Sequence, residues 1–223
     1  MGESVDLAPG RGYAWHVRKL FLLLFAFASI GLVAETLRVS PQGKLRLQSA
    51  IDAARDGDTI ILSGGTYVSA VPVAVSGRTG LTLRAEGVVW LVCKDLYADV
   101  LTVTDCADLR IEGIRARHEV KLAEYECEGS VISARSVRGL LVRGCELAGS
   151  GAVGIDLSDC EDVEVNGCYL HDNSLAALSL SEVSSVVISS NRISKNAATM
   201  YSTAVTGLTM LNNNISDNGE TRD

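Results

Sequence analysis

The side chains able to do chemistry in this sequence fall into three groups. The first is His171 followed by Asp172, a pair that could pass a proton if the two side chains meet. His118 with Glu119 is a second such pair, although neighbours on one strand face opposite ways. The second group is a set of carboxylates, Asp105, Asp159 and Glu182, with Asp156 just before Asp159; hard oxygens of this kind suit a cation such as Ca²⁺. Ser136 interrupts the series between Arg135 and Arg138, so solvated ion pairing accounts for the same residues without a metal. No other cofactor is implied. The third group is Trp90, Lys94, Tyr97, His118, Lys121, Glu124 and Tyr125. Its aromatic faces could stack on sugar rings while charged neighbours bond hydroxyls or carboxylates, or Trp90 could simply cover core where the backbone bulges.

What must position these residues is a repeat. Segments beginning Leu140-Leu-Val-Arg, Val163-Glu-Val-Asn, Val186-Val-Ile-Ser and Leu208-Thr-Met-Leu start 23, 23 and 22 residues apart. Aligned, they give columns of like residues: Val142, Val165, Ile188 and Met210; Leu147, Leu170, Ile193 and Ile215; Val137, Cys160, Val183 and Val205. Between two of these columns stand Cys145, Cys168, Asn191 and Asn213, and at a turn Ser150, Asn173, Asn196 and Asn218. Alternate residues share one face of a strand. Side-chain amides can hydrogen-bond to their copies one strand away, and Asn tolerates the left-handed backbone of a tight turn. Upstream, Leu81/Leu83 and Leu109/Ile111 continue the pattern at intervals of 28 and 31 residues. A second strand per unit recurs at Val73/Val75, Leu101/Val103, Ile132/Ala134, Ile155/Leu157 and Leu178/Leu180. The expected fold is all-β, a right-handed single-stranded parallel β-helix of about six coils, its hand following from the chirality of parallel crossovers. A β-sandwich also has strands at short intervals, but its strands do not align column by column.

The chain divides on this basis into four parts. Residues 1–34 read as a signal peptide or membrane anchor: Arg18 and Lys19 precede an apolar run, Leu20 to Val33, too short for an ordinary membrane span. Residues 35–70 form an amino-terminal cap with a helix over 46–56, in which Leu47, Ala50, Ile51 and Ala54 share one face and Gly57 stops the helix. Residues 71–218 form the solenoid and 219–223 a polar tail, too short to cover the last coil, so the expectation is that the native chain continues or that this end docks to a partner or, end to end, to a second copy. The long intervals place extra residues, Val88 to Asp99 and Arg117 to Gly129, at one corner of successive coils, where solenoids build binding surfaces.

Composition narrows the partners. A net charge of −7 argues against nucleic acid, and contact with a membrane is expected only through the amino-terminal segment. All three Phe residues lie before Ala34, leaving a core of Val, Ile, Leu, Ala and Cys. Of six Cys, Cys106, Cys145, Cys160 and Cys168 sit on interior columns, and Cys93 and Cys127 lie in neighbouring insertions, where a bridge would tie the two together. A bridge between Cys145 and Cys168 is also open, though two thiols are the simpler expectation.

The stretch Leu47-Gln-Ser-Ala-Ile-Asp-Ala-Ala-Arg-Asp-Gly-Asp-Thr-Ile-Ile-Leu-Ser-Gly-Gly-Thr-Tyr67 resembles the cap and first turn of the pectin-lyase-like right-handed β-helix superfamily. The Asn-containing units Val186 to Asn196 and Leu208 to Asn218 resemble its repeats. The resemblance implies the fold over most of the chain after the leader, and leaves activity open, because members include lyases, hydrolases, epimerases and noncatalytic sugar-binding or surface proteins. Enzymatic signatures transfer poorly. Arg192-Ile193-Ser194 lacks the basic last residue of a polygalacturonase Arg-Ile-Lys, and Tyr169-Leu170-His171-Asp172 keeps only the end of an epimerase Asp-Pro-His-Asp. No catalytic set is assignable. The expectation is an exported, secreted, periplasmic or surface β-helix that binds a polysaccharide or cell-surface glycan without catalysis. The alternatives are a polysaccharide lyase, hydrolase or epimerase, or a fragment of one, and a structural spacer.

Overall fold

The computed structural model describes residues 33–43, 46–119, 128–149 and 152–219. The leader expected over 1–34 lies almost wholly outside the described residues, as do Lys121, Tyr125 and Cys127. Three strand rows wind about one core. The first holds β3 (Val73–Ser76), β5 (Leu101–Thr104), β8 (Ile132–Arg135), β11 (Val153–Ser158), β14 (Ala176–Ser181) and β17 (Met200–Thr203). The second starts with β1 (Thr36–Val39) and the first halves of β2 (Thr59–Ser69) and β4 (Thr82–Cys93). It continues through β6 (Ala107–Glu112), β9 (Arg138–Arg143), β12 (Glu161–Asn166), β15 (Ser184–Ser189) and β18 (Thr206–Leu211). The third takes the second halves of β2 and β4, then β7 (Arg115–His118), β10 (Glu146–Ala148), β13 (Tyr169–His171), β16 (Arg192–Ser194) and β19 (Asn214–Ser216).

Every pairing is parallel, and the registers are those of the sequence columns: Leu140, Val163, Val186 and Leu208 stand directly over one another, as do Leu147, Leu170, Ile193 and Ile215. This is a right-handed parallel β-solenoid of about seven turns. The additional turn comes from β2, which bends through Gly65 (φ +139°) and supplies strands to two rows from the stretch assigned to the cap. The capping helix α1 (Leu47–Ala53) is shorter than expected, because the backbone is already extended at Ala54. Its predicted apolar face holds: Leu47, Ala50, Ile51 and Ala54 are buried against the first coil.

Inward residues of successive coils form one core, with Ile155, Leu157, Val165, Leu170, Val186, Ile188 and Ile193 at 0% exposure. Each aliphatic so buried contributes about 1.5–3 kcal/mol. Columns within the corners use polar side chains in place of aliphatics. The Asn191 amide accepts from the Cys168 N–H (2.7 Å) and donates to the Val165 carbonyl (2.9 Å) and to Asn213 Oδ1 (3.1 Å). Cys168 does the same work more weakly: its thiol lies 3.5 Å from the Val142 carbonyl and accepts from the Cys145 N–H at 3.4 Å. A thiol can therefore stand in for an amide in the column because it too can donate and accept, though with one donor where the amide has two. The turn column repeats the arrangement, with Asn173 Nδ2 donating to Asn196 Oδ1 (2.8 Å) and Asn196 Nδ2 to Asn218 Oδ1 (2.9 Å). Along the inward columns exposure returns in the last coil, where Met210 is 37% and Ile215 45% exposed.

Candidate functional site

Because Leu91, Ala116, Leu147, Leu170 and Ile193 point inward along the third row, the residue before each points out. Those outward positions are Trp90, Arg115, Glu146, Tyr169 and Arg192, one per coil and in register. Two residues further along, Arg117 and His171 are outward on β7 and β13.

The side chains of this row touch in sequence. The Arg117 and Arg115 guanidinium groups lie 5.0 and 5.6 Å from the Trp90 ring centroid. Arg115 Nε is 3.3 Å from Glu146 Oε2, and the other oxygen, Oε1, is 3.6 Å from His171 Nε2. His171 Nδ1 is 2.6 Å from Asp172 Oδ2; a carboxylate only accepts, so Nδ1 carries the proton of this pair and Nε2 is the nitrogen turned to Glu146. Nε2 is buried and has no hydrogen bond among the described residues. The His171 ring stacks on Tyr169 at 3.8 Å and 20°, and Arg192 lies 4.7 Å over the same Tyr169 ring. Five coils thus share one surface of rings, guanidinium groups and one carboxylate–imidazole–carboxylate chain.

Residues 102–221, more than half of the chain, match the family model of the right-handed β-helix region. The chain belongs to the right-handed β-helix family. No curated protein sequence matches it. Solved structures do. It is similar to the catalytic domain of a GH87 α-1,3-glucanase crystallised with tetrasaccharides, at 10% identity and TM-score 0.62, covering 82% of this chain and 38% of that one. It is similar to jun a 1, the major allergen of cedar pollen, at 13% identity and TM-score 0.57, covering 83% and 61%. A Paenibacillus alginate lyase aligns at 14% identity and TM-score 0.50, covering 82% and 75%. The chain therefore spans less than two thirds of the glucanase domain and of the allergen.

In this right-handed β-helix, two of the sequence-predicted residues, Trp90 and His171, share the outer row, and Asp172 follows at the turn after β13. Trp90 stands on the sheet and not in a corner insertion, because Val88 to Cys93 continue β4 instead of forming a loop. Its ring, expected to stack on sugar, carries two arginines. His171 meets Asp172 through one ring nitrogen and faces Glu146 with the other. Lys94 and Tyr97 lie on the turn after β4, Lys94 in an exposed pair with Glu119 (3.9 Å) and Tyr97 66% exposed. His118 is buried, its Nε2 2.8 Å from the Ala98 carbonyl, so it fastens this turn and forms no acid/base pair with Glu119, which faces Lys94. Of the expected loop set, Lys121 and Tyr125 lie outside the described residues.

The carboxylate column does not converge. Asp105, Ser136, Asp159 and Glu182 all have φ of 53–55°, the left-handed turn conformation that Asp and Ser adopt for local backbone reasons. Ser136 Oγ donates to Asp159 Oδ2 at 2.9 Å, and Asp156 is flanked in register by Ser133 and Ser179. Among the described residues no group of three or more His, Cys, Asp or Glu is placed to hold a metal. Cys106, Cys145, Cys160 and Cys168 are buried thiols with no bridge between Cys145 and Cys168. The proposed partner of the buried Cys93, Cys127, lies outside the described residues.

Arg115, Arg117, Glu146, Tyr169 and Arg192 were not singled out from sequence. Three of them had a signal: Glu146, Tyr169 and Arg192 each precede a member of the Leu147, Leu170, Ile193 column. Trp90 and Arg115 lie in coils of irregular length, where the register is set by pairing between β4 and β7.

Proposed function

We propose that this chain is an exported β-helix protein that binds a polysaccharide along the outer face of its third strand row. The observation that carries the reading is the in-register series Trp90, Arg115, Glu146, Tyr169, Arg192. From Trp90 to Tyr169 is three strand steps, roughly 14 Å, a length matched by an extended oligomer and not by a single sugar. Rings and planar guanidinium groups give it flat surfaces, and Glu146 and the arginines give donors and acceptors for hydroxyls. Export is supported by Arg18 and Lys19 ahead of the apolar run Leu20 to Val33. It also accords with solved structures of this fold that are mostly glycosyl hydrolases and lyases.

The test is retention of the full chain on immobilised polysaccharides. Trp90→Ala removes the ring under two arginines and should weaken binding by about 2 kcal/mol, roughly thirtyfold. Retention unchanged in Trp90→Ala and in the Trp90→Ala, Tyr169→Ala double variant overturns the reading.

A second reading, that the row also cleaves the glycan, is favoured by the placement of His171 Nε2 3.6 Å from Glu146 Oε1, which sets an imidazole and a carboxylate side by side as a proton-transfer pair. New reducing ends or unsaturated sugars released by the protein, and lost in Glu146→Gln, would establish it over the noncatalytic one.

A further inference from the structure

The net charge is −7, and yet the outward positions of the third row hold three arginines on β7 and β16. Arg115 is compensated by Glu146. Arg117 and Arg192 are not: both are exposed, and neither lies within ion-pair distance of a carboxylate among the described residues. Each is instead laid over an aromatic ring, Arg117 at 5.0 Å from Trp90 and Arg192 at 4.7 Å from Tyr169. Tyr169 is stacked by His171 as well, so little of that ring is left to meet a sugar and the group presented outward is the guanidinium. A guanidinium held over a ring keeps its donors in a fixed fork, which matches the paired oxygens of a carboxylate or sulfate and is wasted on a lone hydroxyl. β7 and β16 are three strand steps apart, roughly 14 Å, so the two forks face ligand groups that far apart along the stack.

We infer that the polysaccharide bound by the third row is anionic, carboxylated or sulfated, with Arg117 and Arg192 each holding one acidic group. This rests on the binding face proposed above and names the class of its ligand. Glu146 and Asp172 lie between the two forks; their charge is matched locally by Arg115 and by the hydrogen bond to His171, so the anion is received at the ends of the row and not at its centre.

The experiment measures binding of the full chain to dextran, dextran sulfate, polygalacturonate and fully methyl-esterified polygalacturonate, at low and high salt. Binding is expected to dextran sulfate, polygalacturonate or both, and to fall steeply with salt; which one binds separates sulfate from carboxylate as the source of the charge. Arg117→Ala and Arg192→Ala should each weaken it roughly tenfold, Arg117→Lys less, and Arg110→Ala, on the second row, not at all. Circular dichroism confirms that each variant is folded. Equal binding to the neutral and charged polymers overturns the anionic assignment while leaving the glycan-binding face standing. So does salt-independent binding, or unchanged affinity in Arg117→Ala and Arg192→Ala. Binding to none of the four, or to any other glycan, overturns both.

Discussion

Asn191→Ala removes the side chain on which two coils depend. Its Oδ1 is the acceptor for the Cys168 N–H at 2.7 Å and its Nδ2 the donor to the Val165 carbonyl at 2.9 Å. Both groups are buried, Cys168 at 2% and Val165 at 0% exposure, so water cannot replace the lost partners. Asn213 Oδ1 keeps the Asn191 backbone N–H at 2.9 Å and is not stranded. Two stranded groups at about 1–3 kcal/mol each give a cost of about 4 kcal/mol. That is a large share of a domain stability of roughly 5–15 kcal/mol. Asn191→Cys should cost about half as much, because Cys168 already performs both functions in the same column with longer bonds. Urea unfolding followed by circular dichroism measures the loss, and hydrogen exchange at the Cys168 amide locates it. An Asn191→Ala cost below about 1 kcal/mol, or a Cys variant no better than Ala, would refute the account of the column as an obligatory hydrogen-bond relay.

Two further outcomes follow from buried titratable groups. The hydrogen bond with Cys168 and burial push the Cys145 thiol well above its ordinary range, and burial pushes Cys106 and Cys160 up. The thiolate is the nucleophile, so Cys106, Cys145 and Cys160 should resist iodoacetamide in the native protein and react once it is denatured; Cys168, which the same hydrogen bond with Cys145 pulls down, should resist through burial alone. Peptide mapping by mass spectrometry reads this, and rapid native labelling of any of the four contradicts it. Hydrogen bonds from the Arg55 and Glu35 N–H groups (2.8 and 2.7 Å) hold the Asp58 carboxyl below its ordinary value of 3.8. A lowered folded value means stability that is fully present above the unfolded value, and lost as pH falls past it and through the folded one. The urea midpoint should therefore drop below about pH 4, and less so in Asp58→Asn; identical pH profiles would disprove the link.

The core was legible because its columns are chemically uniform and its interval constant. Leu140, Val163, Val186 and Leu208 can be found by counting, and the structure stacks them. The outer row was not, because Trp90, Arg115, Glu146, Tyr169 and Arg192 share no chemistry, only a position. Their alignment depends on where β4 continues past Gly87 as strand while the next coil breaks at Gly113. The carboxylates misled for a related reason: Asp105, Asp159 and Glu182 line up because one turn shape recurs, and a shared turn shape in sequence looks like a shared ligand. His118 was a candidate for chemistry by type alone, and only burial against Ala98 reveals a fastener. His171 gained weight from Glu146, a residue 25 positions away that the winding brings beside it.

The even stacking of the third row has a consequence for how such a surface can change over evolutionary time. Rings and guanidinium groups here ride on a lattice, so gain or loss of one 23-residue coil between β10 and β16 would shift Arg192 relative to Trp90 by one step of about 4.8 Å, with every local contact rebuilt as before. The reach of the face is thereby counted in whole rungs. Selection for longer or shorter polymers has integers to choose from and no values between them.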